Sequence, residues 1–380
     1  MAGPETVGNF SRVGNWGEGF SVDVFNREYS RRDLFIILVE RSMVKKIKGN
    51  IENMIGWTKV PLGQAGPILI NKKKYILPLA TTEGALVASV NRGCKATRLS
   101  GGIRVLVEEV GATRGPVFTV SGLSEGKKLI DWAKTNFCLL QDTAEATSHH
   151  LKLVDFESAM LGKQVWLRFK FNTGEAMGMN MVTIATEAIS KLIKQKLKIR
   201  CTALSGNYCV DKKPSWLNFI SGRGKKVWAE AIIKRIIVKE VLKTTPEKII
   251  EVVRDKHWLG SIMSGSMGGN GHFANIVAAM FLATGQDMAH VVEASLGITT
   301  AEPEGESLYF SVYLPDLMIG AVGGGTRLAT QQKALKNLQV NKNNLAQVIG
   351  GAVLAGELSL TAALASGDLA RAHQRLGRSK

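Results

Sequence analysis

Between Pro78 and Lys95 (PLATTEGALVASVNRGCK) a single carboxylate, Glu83, stands among small and apolar residues. Partial burial there would raise its pKa and make it a proton donor near neutral pH; the plain alternative is a turn with a surface glutamate. Arg92 and Lys95 follow on the same stretch, cations of the kind that hold phosphates. In Ser205–Lys226 (SGNYCVDKKPSWLNFISGRGKK), Asp211, Lys212 and Lys213 precede Pro214, which bars helical continuation and stiffens the loop. A lysine fixed beside an aspartate suits stabilisation of a developing oxyanion, although a lone DKK is also an ordinary solvated turn. Gly265–Asp287 (GSMGGNGHFANIVAAMFLATGQD) is a Gly-rich loop feeding an apolar helix that stops at Gly285. His272 and Asn275 share one face of that helix. Asp287 lies just past its end, where the helix dipole disfavours an anion, so it is either solvated or paired with a specific cation.

Two further stretches suit a phosphate-bearing ligand. Asn172–Met181 (NTGEAMGMNM) joins a strand to a helix start, where free backbone N–H groups can cradle a pyrophosphate or ribose. Val322–Thr326 (VGGGT) lets backbone approach a ligand, or is simply a turn. Neither is the GxGxxG fingerprint of dinucleotide-binding folds. His373, in the polar tail ARAHQRLGRSK, reads on its own as an exposed histidine.

The elements that must position these residues follow from periodicity. Apolar spacing predicts a helix over Arg31–Ile47, then loops and short strands across Ile51–Pro78, then a helix over Ala85–Cys94. From Gly115 the pattern becomes strand (Val117–Val120), helix (Ser124–Phe137), strands (Leu151–Phe156 and Gln164–Phe171), helix (Met181–Lys198) and strand (Ile199–Leu204). That βαββαβ order is ferredoxin-like, and the long segments on both sides mark it as an insertion. After Gly206 the chain reads as mostly helical, ending in a helix-rich tail over Asn344–Leu376. The expected fold class is therefore α+β: a large helix-rich domain (51–114 and 206–380) with an inserted domain at 115–205, preceded by an N-terminal helical segment over 1–50.

Length and composition set outer bounds. A chain of 380 residues with 45% hydrophobic residues has material for two domains. Its longest apolar stretch, read as Ile276–Thr284, is well below the roughly 18 residues of a membrane span, and no signal peptide opens the chain, so a cytoplasmic protein without a membrane partner is expected. Four cysteines without CxxC pairing argue for reduced thiols, and no metal site is expected. The net charge of +17 fits a lysine-rich surface or a polyanion partner. Without a zinc-finger, RNP or helix-turn-helix signature, nucleic-acid binding is an alternative with little specific support.

Taken together and in order, ENMIGW, PLGQAGP, TTEGALVASVNRGCK, TRGPV, GEAMGMNM, GNYCVDKKP, GRGK, GQD, VGGGT and the GELSLTAAL-to-His tail resemble 3-hydroxy-3-methylglutaryl-CoA (HMG-CoA) reductases, specifically their class I form of the soluble prokaryotic type. The resemblance runs from about Glu52 to Lys380. It implies four-electron reduction of HMG-CoA to mevalonate and CoA with two NADPH, the large domain binding the CoA substrate and the inserted domain the NADP(H). The alternatives are another NAD(P)H-dependent acyl-CoA reductase that stops at the aldehyde and, in a different class, a basic nucleic-acid-binding protein.

The resemblance also implies roles. Glu83 would protonate the aldehyde-level oxygen, Lys212 stabilise the oxyanion, Asp287 couple the two, and His373 protonate the departing thiolate. Ser89, Asn91, Arg92 and Lys95 would lie near the CoA. Arg114, Ser205, Asp211, Lys213, Lys256, His272 and Asn275 would lie near the hydroxymethylglutaryl group. The cofactor would meet Glu175, Met177, Gly178, Met179, Asn180, Gln286, Gly323, Gly324 and Gly325, with Ser148, His149 and His150 at its 2′-phosphate. ENMIG resembles a segment at the family's subunit interface, which implies a homodimer or homotetramer. Three departures stand out: Glu175 where the family usually has Asp, Gly271 where it usually has Ala, and two histidines where eukaryotic members carry an Arg.

Overall fold

Asn71 and Lys72 both take left-handed backbone angles, φ 47° and 67°, and so close strands β1 (Leu62–Ile70) and β2 (Lys73–Ala80) into a tight antiparallel hairpin. The sequence pattern predicts loops and short strands here, and the structure joins them into this one hairpin. A computed structural model of the chain describes residues 51–367, so the helix expected over Arg31–Ile47, the end of the tail helix and His373 lie outside the described residues. The part from Lys59 onward forms one unit.

Helix α1 (Leu86–Leu99) follows the hairpin. It buries Leu86, Val90, Gly93, Cys94 and Thr97 along one stripe and ends at the positive-φ pair Gly101 and Gly102. Strand β3 (Arg104–Arg114) then runs through two packing environments. Its residues 104–111 pair with β8 (Arg223–Ile233), and its last three pair with β6 (Gln164–Asn172).

Between them lie β4 (Val117–Thr119), α2 (Leu123–Thr135), α3 (Phe137–Glu145), β5 (Lys152–Leu161), β6, α4 (Met179–Leu197) and β7 (Arg200–Ala203). This is the βαββαβ order with one helix added to the first crossover. Its strands lie side by side as β7-β4-β6-β5, antiparallel throughout. Helix α4 covers them with Val182, Ala185, Thr186, Ile189, Ser190 and Ile193, a single helical stripe. These elements enclose a core of their own around Phe118, Leu140, Val165 and Phe169.

The larger core departs from the mostly helical expectation after Gly206. Short helix α5 (Trp216–Ser221) leads into β8, and β9 (Ile298–Glu304) and β10 (Ser307–Leu317) form a hairpin turning at Gly305. The sheet order β3-β8-β10-β9 is antiparallel. In β8 alternate residues Arg223, Lys225, Val227, Ala229, Ala231 and Ile233 point inward, and the two buried cations disguise the strand period. Helices α6 (Pro246–Val252), α7 (Phe273–Thr284), α8 (Ala329–Leu338) and α9 (Lys342–Ala365) complete this part.

Helix α9 is the core's axis. It packs on α1, α6, α7, β3, β8 and β10 and is buried nearly all round. Among the described residues it is the one helix long and apolar enough to cross a membrane, which corrects the expectation that no such stretch exists; yet 83% of its apolar window is buried inside the protein. Its approach to α1 requires Gly93, where a Cβ would stand 1.9 Å from the carbonyl oxygen of Ala355.

Candidate active site

Pairing of Lys212 with Asp287 is the centre of the site: Nζ lies 2.7 Å from Oδ2. The two residues come from separate segments. Asp287 caps the turn Met288–His290, where its Oδ1 accepts the N–H of Ala289. Burial opposes its ionisation, but the Lys212 bond, the Ala289 N–H and the nearby His290 outweigh that and hold its carboxyl below the usual range. Its position just past α7 therefore has the specific cationic partner that the dipole argument asked for.

Lys212 sits on the loop before α5 with φ 61°. A side-chain-bearing residue in that region costs about 1–3 kcal/mol. The loop is held against this cost. Lys212 N–H donates to Glu293 Oε2, and Lys213 N–H reaches the same oxygen at 3.3 Å; hydrogen bonds to a charged group contribute about 1.5–3 kcal/mol each in good geometry. Asp211, one residue earlier, accepts from Arg223 Nη2 at 2.8 Å and faces Arg114 Nη1 at 3.7 Å.

Glu293 and Arg223 are both fully buried and paired with each other. Burial works against the Arg223 charge, but Glu293, Asp316 and Asp211 overcome it and raise its pKa further. Asp316 is also fully buried. Burial and the Glu293 charge push its carboxyl well above the usual range, while Asn218 Nδ2 donates to its Oδ2 at 2.6 Å. His290 Nδ1 meets Glu293 Oε1, and its Nε2 faces Asp287 Oδ2 at 3.7 Å and Asp211 Oδ1 at 3.9 Å. Asp211, His290 and Glu293 bring ligand atoms within 4.8 Å of one another, as a metal site would. The guanidinium of Arg223 already bonds both carboxylates and supplies the positive charge there.

Glu83 is exposed, not partly buried as expected, because the loop after β2 projects it from the hairpin. Its Oε2 accepts from Asn275 Nδ2 at 2.9 Å. Asn275 is set by the start of α7, which hangs on a buried carboxylate of α9. Glu357 accepts the N–H groups of Gly271 (2.8 Å) and His272 (2.6 Å) and the hydroxyl of Thr299 (2.9 Å). Beside it, buried His257 lies 3.4 Å away; burial, only partly offset by Glu357, lowers its pKa to about 4.

The residues expected near the CoA divide. Ser89 and Arg92 both bond Ser359 of α9, and Asn91 accepts the N–H of Gly66; Lys95 is exposed. Arg114 also donates to Thr183, Ser205 contacts the Cys209 thiol, Lys213 Nζ bonds the Asp211 carbonyl, and Lys256 is exposed.

On the cofactor side, Ser148 accepts the N–H of His150, and His149 is exposed. Glu175 accepts the N–H of Lys342 at 2.6 Å, so its extra methylene spans to the start of α9. Gly178 precedes α4 with φ 89°, Met179 and Asn180 open that helix, and Met177 packs on the smaller core. Gln286 exchanges hydrogen bonds with Gly320 and so anchors the segment leading to Gly323–Gly325 beside the end of α7.

A cleft of about 960 Å³ adjoins that segment, lined by His150, Ala176, Gly323, Arg327, Lys336 and Asn341 among others. Gly323 and Gly324 have φ 84° and 52°, and a Cβ at either would meet open space. Backbone is thus bared to the cleft side by side with two exposed cations, Arg327 and Lys336, for which no ion pair is found among the described residues. Such a lining fits a phosphorylated dinucleotide. Sequence reading missed these cations, as it missed His290, Glu293, Arg223, Asp316 and Glu357. Of these, Arg223 and Glu357 lay within motifs it had singled out, GRGK and GELSLTAAL.

A family model described as hydroxymethylglutaryl-coenzyme A reductase matches residues 30–378. The 3-hydroxy-3-methylglutaryl-coenzyme A reductase of Methanocaldococcus jannaschii is 51% identical over 346 residues, covering 87% of this chain and 85% of that protein. The Xenopus laevis enzyme of the same name is 46% identical, over 87% of this chain and 39% of the longer relative. A solved structure of the class II reductase from Streptococcus pneumoniae, bound to NADPH in open conformations, has a TM-score of 0.70 at 18% identity and covers 88% of this chain and 97% of that one. It bears on the fold alone.

Proposed function

The chain belongs to the hydroxymethylglutaryl-coenzyme A reductase family, and from that premise we propose how its residues divide the reaction. Its activity is the NADPH-dependent reduction of HMG-CoA. The observation that carries the assignment of roles is the Lys212–Asp287 pair, an ammonium held in place by buried groups behind it.

A thioester carbon that is being reduced develops negative charge on its oxygen. Lys212 is the fixed cation for that oxygen, and Asp287 keeps it charged and aimed. Glu83, oriented by Asn275, donates the proton at the aldehyde level, where the second oxyanion must become an alcohol. His373 protonates the departing CoA thiolate, a role near the unperturbed histidine pKa. Arg114, Ser205, Asp211, Lys213, Lys256 and His272 bind the acyl group, and Ser89, Asn91, Arg92 and Lys95 the CoA. NADPH, when bound, supplies the reducing equivalents. Ser148–His150, the 175–180 segment, Gln286, the Gly323–Gly325 loop and the cleft cations Arg327 and Lys336 hold it, the cations matching its phosphates.

The finer readings follow. Residues 115–205 form the cofactor domain inserted into the substrate domain. The class I reading rests on the order of the motifs from ENMIG to the GELSLTAAL tail. Active sites are completed across subunits in at least a dimer; full activity in a monomer at high dilution would overturn this.

Separate half-reactions test the roles. His373→Gln should slow thioester reduction by about a hundredfold, as expected for a lost general acid, and leave mevaldehyde reduction near normal. Glu83→Gln should damage both. Equal loss of both activities in His373→Gln would remove the thiolate role.

A further inference from the structure

We infer that Glu293 is a positioning residue for Lys212, a buried carboxylate that pins the lysine loop to the segment carrying Asp287. The inference deepens the proposed roles and rests on Lys212 being the oxyanion cation.

Lys212 and Asp287 are far apart in sequence and come from different segments, yet their charged ends must hold one spacing. Glu293 is placed to set it. It lies on the short helix Val291–Ala294, directly after the turn that Asp287 caps, so it moves with Asp287. Its side chain crosses to the other segment, where Oε2 accepts the backbone N–H groups of Lys212 and Lys213. The contact falls on Lys212 itself, the residue held at φ 61°. Without the carboxylate's charge, its hold on those N–H groups weakens, and the loop has reason to relax toward ordinary backbone angles and carry the ammonium away.

The competing reading is that Glu293 only neutralises buried Arg223. Its two oxygens argue otherwise. Oε1 takes Arg223 Nη1 and His290 Nδ1, whereas Oε2 is given to the lysine loop. Arg223 in turn grips Asp211, the residue before Lys212, at 2.8 Å. His290, held by Glu293, turns its Nε2 toward Asp287 at 3.7 Å. One carboxylate thus registers both members of the catalytic pair while remaining fully buried and out of reach of substrate.

A double-mutant cycle on the full-length chain separates positioning from mere structure. The variants are Glu293→Gln, Lys212→Met and both together, with kcat and KM measured for HMG-CoA at saturating NADPH. Glu293→Gln should lower kcat by about 30-fold with KM changed less than about threefold, and should have no further effect in the Lys212→Met background. An equal loss in both backgrounds, or no loss of kcat in the single variant, overturns the inference. A near-normal Lys212→Met enzyme would instead sink the oxyanion role on which it rests. Should Glu293→Gln fail to fold, Glu293→Asp keeps the charge for Arg223 but shortens the reach to Lys212, and it is judged in the same cycle by the same criterion.

Discussion

Replacing Lys212 by Met keeps most of the side chain's volume and removes only the charge, so its cost can be worked from the geometry. The proposed role puts the ammonium within about 4 Å of the developing oxyanion in the reacting complex; in the free enzyme it stands 2.7 Å from Asp287 Oδ2. For unit charges about 4 Å apart at an effective dielectric near 20, the interaction is about 4 kcal/mol, which is about a thousandfold in rate. The side chain is 40% exposed here, so bound substrate must exclude water to reach that figure. Binding of the neutral thioester carbonyl gains much less from the charge. The expected result is therefore kcat lower by about a thousandfold with KM within a few-fold. Steady-state kinetics across pH 5–8, with a thermal melt to verify folding, would measure both. A variant that keeps kcat within tenfold and only raises KM would refute the reasoning and reduce Lys212 to a binding residue.

His257 stays neutral in the fold, with its pKa lowered to about 4, while the unfolded chain protonates near the ordinary value of 6.5. The unfolded state therefore binds the extra proton between those values, and stability should fall by up to about 3 kcal/mol as pH drops through that window. Denaturant unfolding at pH 7 and pH 4.5 should show this in the wild type and lose it in His257→Gln. Gly93→Ala should destabilise the protein by about 3 kcal/mol, since the new methyl meets the carbonyl of Ala355 and must part α1 from α9; equal denaturation midpoints would contradict that packing. Arg327→Gln with Lys336→Gln should weaken NADPH binding by about tenfold or more and NADH binding far less, read by cofactor fluorescence. Equal losses for both nucleotides would place these cations away from the 2′-phosphate.

What was legible in the sequence was local. The DKKP loop, the Gly285 stop before Asp287 and the helical stripe of α4 each declare themselves within a few residues. The strand and helix order from Val117 to Ala203 could be read for the same reason, apart from one added helix, since each element carries its own period. The groups behind the site could not. Glu293 and Arg223 are 70 residues apart, and Glu357 reaches Gly271 across 86; each is an unremarkable charge until the fold buries it beside its partner. The same burial hid β8, whose inward Arg223 and Lys225 break the apolar alternation a strand normally shows. The β9–β10 hairpin was missed although β10 alternates from Ser307 to Leu314 and Gly305 marks the turn; only β9, which buries Thr299 and ends in the exposed Glu302, Pro303 and Glu304, hides its period. Glu83 was expected to be partly buried because its neighbours in sequence are small and apolar, but Thr82 and Gly84 beside it are exposed too, and burial resumes only at Leu86.

The central claim is a thioester carried all the way to an alcohol, and electron counting tests it most directly. Purified chain given limiting HMG-CoA and excess NADPH should consume two NADPH for each mevalonate formed and release one free thiol. The conversion from thioester to alcohol takes four electrons, and each NADPH delivers two. One NADPH per thiol released, with aldehyde accumulating, would contradict the account and make this an enzyme of the first reduction only.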